Sequence, residues 1–415
     1  MNKTGLRSVL LRETGDGFAL LRATGDGFGL LQPAAPDADD QGVSVSTRPI
    51  RACHLIHDLG PGGAENTLVG LASVAAGAGM EMSVVSMMPL GDLRYPVLLR
   101  DAGVGVRSLD LAAWWDPRGP HRLAALIRDL SPDVLHSHLK HADVVAGRVA
   151  AKVGVPHVST LHVIEDTATG LAGRKRDLAA RSRMASAAKT IAVSDALRSW
   201  YLQTFPESPD RVVTIRNGVP APPGFDGTSR AAVRGELGIA PDAVMAVMVS
   251  VLRPGKGHDV LMRAAAKVDG VVFVVAGDGP EMPAVRRLVA DLPSGRIVLT
   301  GFREDVPRLL AASDLVVHPA FFDALPTTLI HALAAGVPAV ASDVGGIPEI
   351  VTPATGMLVP PGDSDALADA VRSLARDEDT RRWMGKAAME RFREEFDGSA
   401  WARKLVSLYR TLAGR

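Results

Sequence analysis

The chain is nearly without cysteine: Cys53 stands alone among 415 residues. No internal disulfide can form, which points to a reducing compartment, and a zinc site built on thiolates is excluded. An excess of charge is missing too. Lys plus Arg and Asp plus Glu count 46 each, so the formal net charge is zero and a broad basic face for nucleic acid is excluded. No apolar run reaches the ~18–20 residues that a membrane-spanning helix needs. The opening stretch, MNKTGLRSVLLRETGDG, lacks the long apolar core and small-residue cleavage site of a secretory signal. A soluble cytoplasmic protein is the expectation. Apolar residues make up 47% and charged residues 22%, a globular balance that excludes wholesale disorder. At ~100–200 residues per domain, the length suggests two domains, or three at most.

Residues 1–47 differ from the rest. RETGDGFALL (12–21) is followed at once by RATGDGFGLL (22–31), then by the acidic, proline-containing PAAPDADDQG. Two copies of a ten-residue period are too few and too short for a solenoid. A poorly ordered extension is expected here. Asp37 and Asp39 form a nominal D-x-D, but they lie outside the regular part of the chain and read as chance.

From residue 51, β-branched runs alternate with Ala/Leu/Arg-rich segments of helical length. The runs are 51–57, 82–88, 133–138, 157–162, 189–194 and 211–217. After GVPAPPGFDGTS, a Pro/Gly-rich linker, they resume at 244–251, 271–277, 296–301, 314–319 and 338–342. Such alternation implies parallel sheets covered by helices on both faces, hence two α/β domains. Ligands in such sheets bind at the carboxyl ends of strands, so two facing sheets would share one cleft.

Three segments carry chemistry. Gly60-Pro61-Gly62-Gly63 sits between a strand and a helix opening at Ala64-Glu65, where small residues and free amides suit a phosphate. A Gly-rich βα turn is common without any ligand, so this signal is weak alone. Leu252-Arg253-Pro254-Gly255-Lys256-Gly257-His258-Asp259 follows a strand directly, placing two cations where a diphosphate would lie. The third runs from His318 to Glu349. Its loop Asp323-Ala324-Leu325-Pro326 precedes a helix whose first amides can face a ligand, and Asp323 suits either sugar hydroxyls or simple capping.

The ordered set GPGGAE, DVLHSH, VSTLH, TIAVSDAL, TIRNGV, LRPGKGHD, VAGDGP, LTGFREDV, DALPTTLIHALAAGVPAVASDVGGIPEIV and TGMLVPPGD resembles the retaining glycosyltransferases of family four. The likeness spans residues 51–415. It implies the glycosyltransferase-B (GT-B) fold, an α/β architecture of two facing Rossmann-like domains whose final helix crosses back to the first. The implied boundaries are 48–217 for the acceptor-side domain, 218–228 for the linker, 229–395 for the donor-side domain and 396–415 for the crossing helix. The implied activity moves a sugar, with retention, from a nucleotide-sugar donor (UDP or GDP) to a glycan, a lipid-linked sugar or a small molecule.

The resemblance also implies residue roles. Lys256 matches the lysine on the donor diphosphate, with Arg253 beside it, and Gly62 and Gly63 approach from across the cleft. His162 lines the cleft near the transferred sugar. Asp323 takes the first acidic position of an E-x7-E element. Ala324, Leu325, Pro326 and Thr327 follow it in the donor loop, and Gly345 and Gly346 match the later glycine pair before Glu349. Gly277, Asp278, Gly279 and Arg303, in the segment Gly301-Phe302-Arg303, would lie near the nucleotide. Three positions depart from the family pattern: Val251 replaces a motif arginine, Asp323 a glutamate, and His331 the second glutamate, which usually holds the ribose. A neutral imidazole offers one donor and one acceptor, so His331 can bond one hydroxyl only.

No metal or other cofactor is expected. His136, His138 and His141 lie close in sequence, but the resemblance implies an H-x-H at this strand end without one. The segment 174–189 has six cations and one acidic residue; it reads as a solvated helix or as a face for anionic lipid at the inner membrane surface. Two other functions stay open: a non-catalytic sugar-nucleotide-binding protein, motivated by the three departures, and a sugar-nucleotide epimerase.

Overall fold

A computed structural model describes residues 48–415 apart from Pro61, Asp92, 166–168 and 223–226, together with the backbone of three amino-terminal strands. Those strands are β1 (Val9–Thr14), β2 (Gly17–Thr24) and β3 (Gly27–Leu30), and they form an antiparallel sheet in chain order. Residues 31–47, with Asp37 and Asp39, lie outside the described residues.

Residues 48–415 form a separate unit built on two parallel sheets. The first contains β4 (Ile50–Ile56), β5 (Met80–Ser86), β6 (Gly105–Ser108), β7 (Val134–His138), β8 (His157–Leu161), β9 (Lys189–Ala192) and β10 (Val212–Thr214), in the order β10-β9-β8-β7-β4-β5-β6. The second contains β11 (Val244–Val249), β12 (Val271–Ala276), β13 (Ile297–Gly301), β14 (Leu315–His318), β15 (Ala339–Ser342) and β16 (Gly356–Val359), in the order β13-β12-β11-β14-β15-β16. Each order reverses beside its first strand, at β4/β7 and at β11/β14. Chain crossovers diverge there and leave a crevice at the carboxyl edge. Central strands such as β12 (VVFVVA) are apolar throughout because helices cover both faces.

The carboxyl edges of the two sheets face each other. Glu349, past β15, accepts from the backbone N–H groups of Asp195 (3.0 Å) and Ala196 (2.9 Å), past β9, and from Arg216 Nε (2.9 Å). Its charge therefore sits at the positive end of the helix Asp195–Thr204. On the opposite flank Arg94 Nη1 lies 2.7 Å from Glu304, and its guanidinium covers the Phe302 ring at 5.7 Å. The two chain crossings meet as well: Val219 N–H donates to Phe396 (3.1 Å) and Gly398 N–H to Val219 (2.9 Å). The helix Gly398–Leu412 then returns to the first domain, burying Trp401, Leu405 and Tyr409 against Leu68 and Leu71.

The first sheet has an unusual interior. All five residues of β7 (VLHSH) and of β8 (HVSTL) are buried, yet more than half of them are polar. His136 bridges Tyr409 Oη (2.5 Å) and Thr160 Oγ1 (2.6 Å), and Ser137 joins His157 (2.8 Å) to Asp143 (2.6 Å). Asp143 in turn pairs with the buried Arg183 at 2.8 Å. Burial holds these imidazoles neutral: it lowers His54 to about 3, His157 and His162 to about 4, and His136 and His138 well below the ordinary value. A group with a lowered native pKa adds stability above its unfolded value, ~6.5, and loses it as pH falls through the native value. Glu65 works in the opposite direction, since burial raises it to about 7. Five histidines outweigh one carboxylate, so the net effect is a loss of stability on acidification. Urea midpoints are expected to fall steadily between pH ~6.5 and ~4.5, the window in which unfolded histidines take up protons that the native ones refuse. A flat profile over that range would contradict the neutral histidine core.

Candidate active site

The second domain supplies a knot of loops at the β11/β14 reversal. Lys256 Nζ lies 2.6 Å from Asp323 Oδ2, and His318 Nε2 reaches the same oxygen at 3.2 Å. Burial pushes Asp323 toward the neutral acid, but the His318 hydrogen bond and the Lys256 charge outweigh it and hold the carboxyl well below the usual range. Two glycines make this approach possible. Gly257 has φ +74°, and a Cβ there would overlap the Pro319 carbonyl. Gly345 has φ +54°, and a Cβ there would overlap the Asp323 carbonyl. Gly346 N–H donates to that same carbonyl at 3.1 Å.

The other expected donor-side residues surround this knot. Gly277 and Gly279 pack against the backbone of Ser250 and Leu252, and Leu252 N–H donates to the Asp278 carbonyl at 2.9 Å. Ala324 and Leu325 are buried, and Pro326 precedes the helix Thr327–Ala334. His331 on that helix makes no side-chain hydrogen bond among the described residues, and burial lowers it to about 4, leaving its nitrogens available as a neutral donor and acceptor. Arg253 is exposed and forms no ion pair among the described residues. Arg303 is committed elsewhere, to Asp305 (2.7 Å) and Glu236 (2.7 Å). It braces the β13 loop, a role the sequence did not signal because Glu236 lies 67 residues away.

The first domain supplies the opposite wall. Gly62 is extended and Gly63 opens the helix Gly63–Ala75, while the Glu65 carboxyl folds back over Gly62. His162, expected in the cleft, lines a cavity of about 260 Å³ together with Lys140, His141, Glu165, Arg176 and Trp200. Leu139 has φ +68°, a left-handed conformation costly for a side chain with a Cβ, immediately between His138 and Lys140. That bend ends β7 and opens the helix Leu139–Gly147, which carries Lys140 and His141 beside the cavity. Lys140 pairs with Glu165.

The structure redistributes the expected histidine cluster. His141 pairs with His57 at 4.6 Å between ring centroids, and His54 joins His136 and His138 instead. It also redistributes the basic segment 174–189. Arg176 turns into the cavity, Arg183 is buried on Asp143, Lys175 covers Trp114 at 5.7 Å, and Lys189 donates to the Asp210 carbonyl at 2.5 Å. Of the six cations only Arg174 and Arg181 are exposed.

The chain is similar to known proteins. Residues 243–377 match the family described as "Glycosyl transferases group 1", and residues 61–221 match "Glycosyltransferase Family 4". Alpha-maltose-1-phosphate synthase of Mycolicibacterium smegmatis is 32% identical over 310 residues, 68% of this chain and 79% of that protein. D-inositol 3-phosphate glycosyltransferase of Kribbella flavida is 29% identical over 312 residues, 67% of this chain and 71% of its own. The crystal structure of Anabaena Alr3699/HepE in complex with UDP-glucose superposes with a TM-score of 0.78 at 23% identity, covering 88% of this chain and all of that one. The facing sheets, the Lys256–Asp323 knot and these likenesses agree: the chain belongs to the family four, group 1 glycosyltransferases and has the GT-B fold.

Proposed function

We propose that this glycosyltransferase moves a sugar, with retention, from a UDP-sugar to a small acceptor bearing an acid group. The carrying observation is Lys256, held by Asp323 at the β11/β14 crevice. The pair holds the Lys256 ammonium aimed before the donor binds. When a diphosphate enters, Lys256 turns to it and Asp323 retains His318. Arg253 and the amides at Gly62-Gly63 add positive potential as the leaving charge grows. In this reading no divalent cation is required. The C1–O bond to the β-phosphate breaks, C1 bonds the acceptor oxygen on the same face, and the acceptor proton passes to the departing phosphate. Asp323 is occupied by its charge pair rather than serving as a nucleophile.

UDP is favoured by the solved neighbours that bind UDP and UDP-glucose. An acidic acceptor would engage Lys140 and Arg176 in the cavity wall in exchange for their present partners, Glu165 and Asp177. The names of relatives point the same way: alpha-maltose-1-phosphate synthase, D-inositol 3-phosphate glycosyltransferase and, in Bacillus anthracis, N-acetyl-alpha-D-glucosaminyl L-malate synthase at 34% identity over 182 residues, 43% of this chain and 47% of that protein.

With UDP-glucose and glucose 1-phosphate as probes, Lys256→Ala is expected to cost at least ~2 kcal/mol in transition-state stabilisation, a roughly thirtyfold fall in kcat/KM. EDTA should leave the wild-type rate unchanged. Near-normal transfer by Lys256→Ala, or loss of activity in EDTA, contradicts the mechanism. Lys140→Ala should raise KM for the phosphate-bearing acceptor and leave donor affinity in place; an unchanged acceptor KM contradicts the acceptor assignment.

A further inference from the structure

Three imidazoles run in line from the core of the first domain to the cleft. His54 Nδ1 lies 2.9 Å from His138 Nε2, and His138 Nδ1 lies 2.9 Å from His162 Nε2. His54 and His138 are buried, and His162 lines the cavity. A neutral imidazole has one N–H and one lone pair. The single proton of His138 therefore couples both contacts. With that proton on Nδ1, His138 donates to His162 and accepts from His54 Nδ1–H, and His54 Nε2 is a bare lone pair. With it on Nε2, both bonds reverse, and His54 Nε2 must carry an N–H.

His54 Nε2 decides between them. It is buried and has no hydrogen-bond partner among the described residues. An orphaned buried N–H forfeits a strong donor, whereas a lone pair can rest against C–H groups. The first arrangement is favoured. His136 does not disturb it, because its nitrogens are taken by Tyr409 and Thr160 and its ring only stacks on His138, 4.3 Å between centroids.

We propose that His54 and His138 are positioning residues that fix His162 as its Nδ1–H tautomer, so that His162 offers the cleft a hydrogen-bond donor and no basic nitrogen. The proposal deepens the functional reading above and rests on His162 facing the reacting sugar. In that place an Nδ1–H suits a hydroxyl or phosphate oxygen. It also leaves the acceptor proton to the departing phosphate.

Long-range proton–nitrogen correlation spectra of the 15N-histidine-labelled protein at pH 7.5, assigned with His162→Ala and His54→Gln, read the tautomers directly. Protonated Nδ1 on both His138 and His162 is expected. Protonated Nε2 on His162, or on His138, overturns the proposal. Kinetics with UDP-glucose and glucose 1-phosphate supply a second test. His54→Phe removes the inner donor and should lower kcat roughly ten- to a hundredfold with little change in donor KM, by analogy with the partners that orient metal-bound histidines. His54→Gln keeps an N–H and should recover part of the loss; equal losses in the two variants contradict positioning. Normal transfer by His162→Ala with the expected spectra would instead refute the place of His162 at the reaction and leave the tautomer assignment standing.

Discussion

The carboxylate of Asp323 holds together loops that arrive from three strands. Its Oδ2 receives Lys256 from the loop after β11 and His318 from the end of β14, and its carbonyl receives Gly346 from the loop after β15. Without a charge at that point Lys256 would have no fixed direction. Without the close approach at Gly345 the third loop could not reach it. Three residues beyond Gly346, Glu349 binds the helix Asp195–Thr204 of the other domain. One short segment therefore connects the aimed cation to the contact that sets the two sheets face to face.

The two walls of the cleft use different electrostatics. The second domain keeps its charges: an ionised Asp323, a paired Lys256 and an exposed Arg253. The first domain buries neutral imidazoles, whose protons are placed by hydrogen bonding rather than by titration. A diphosphate needs the former, and an uncharged sugar ring the latter. The zero net charge of the chain thus conceals a local asymmetry.

Much of the fold is legible in the sequence because central parallel strands are apolar on both faces. The eleven β-branched runs correspond one by one to β4, β5 and β7 to β15. The edge strands β6 and β16 escape that pattern: each has four residues, and both begin with glycine. At the site, Lys256, Asp323 and His162 are legible as residues, but their partners are not. Lys256 and Asp323 are 67 positions apart, and their contact follows only from β11 lying beside β14. His54 reads as any polar residue in a core strand. Only the register of β4 with β7 brings it to His138, 84 residues away. Arg303, placed by the resemblance near the nucleotide, has partners the sequence does not signal: in the fold it pairs with Asp305 and Glu236.

The central claim is that this cleft holds a nucleotide sugar through the Lys256–Asp323 knot despite the replacement of a motif glutamate by His331. A thermal-shift titration with UDP-, GDP- and ADP-sugars tests it without knowledge of the acceptor, since a ligand bound only to the native state stabilises it by about 2.7 kcal/mol at a hundredfold excess over Kd and so raises the midpoint. A dose-dependent rise with a UDP-sugar is the expected result. No rise with any of the three would contradict the claim.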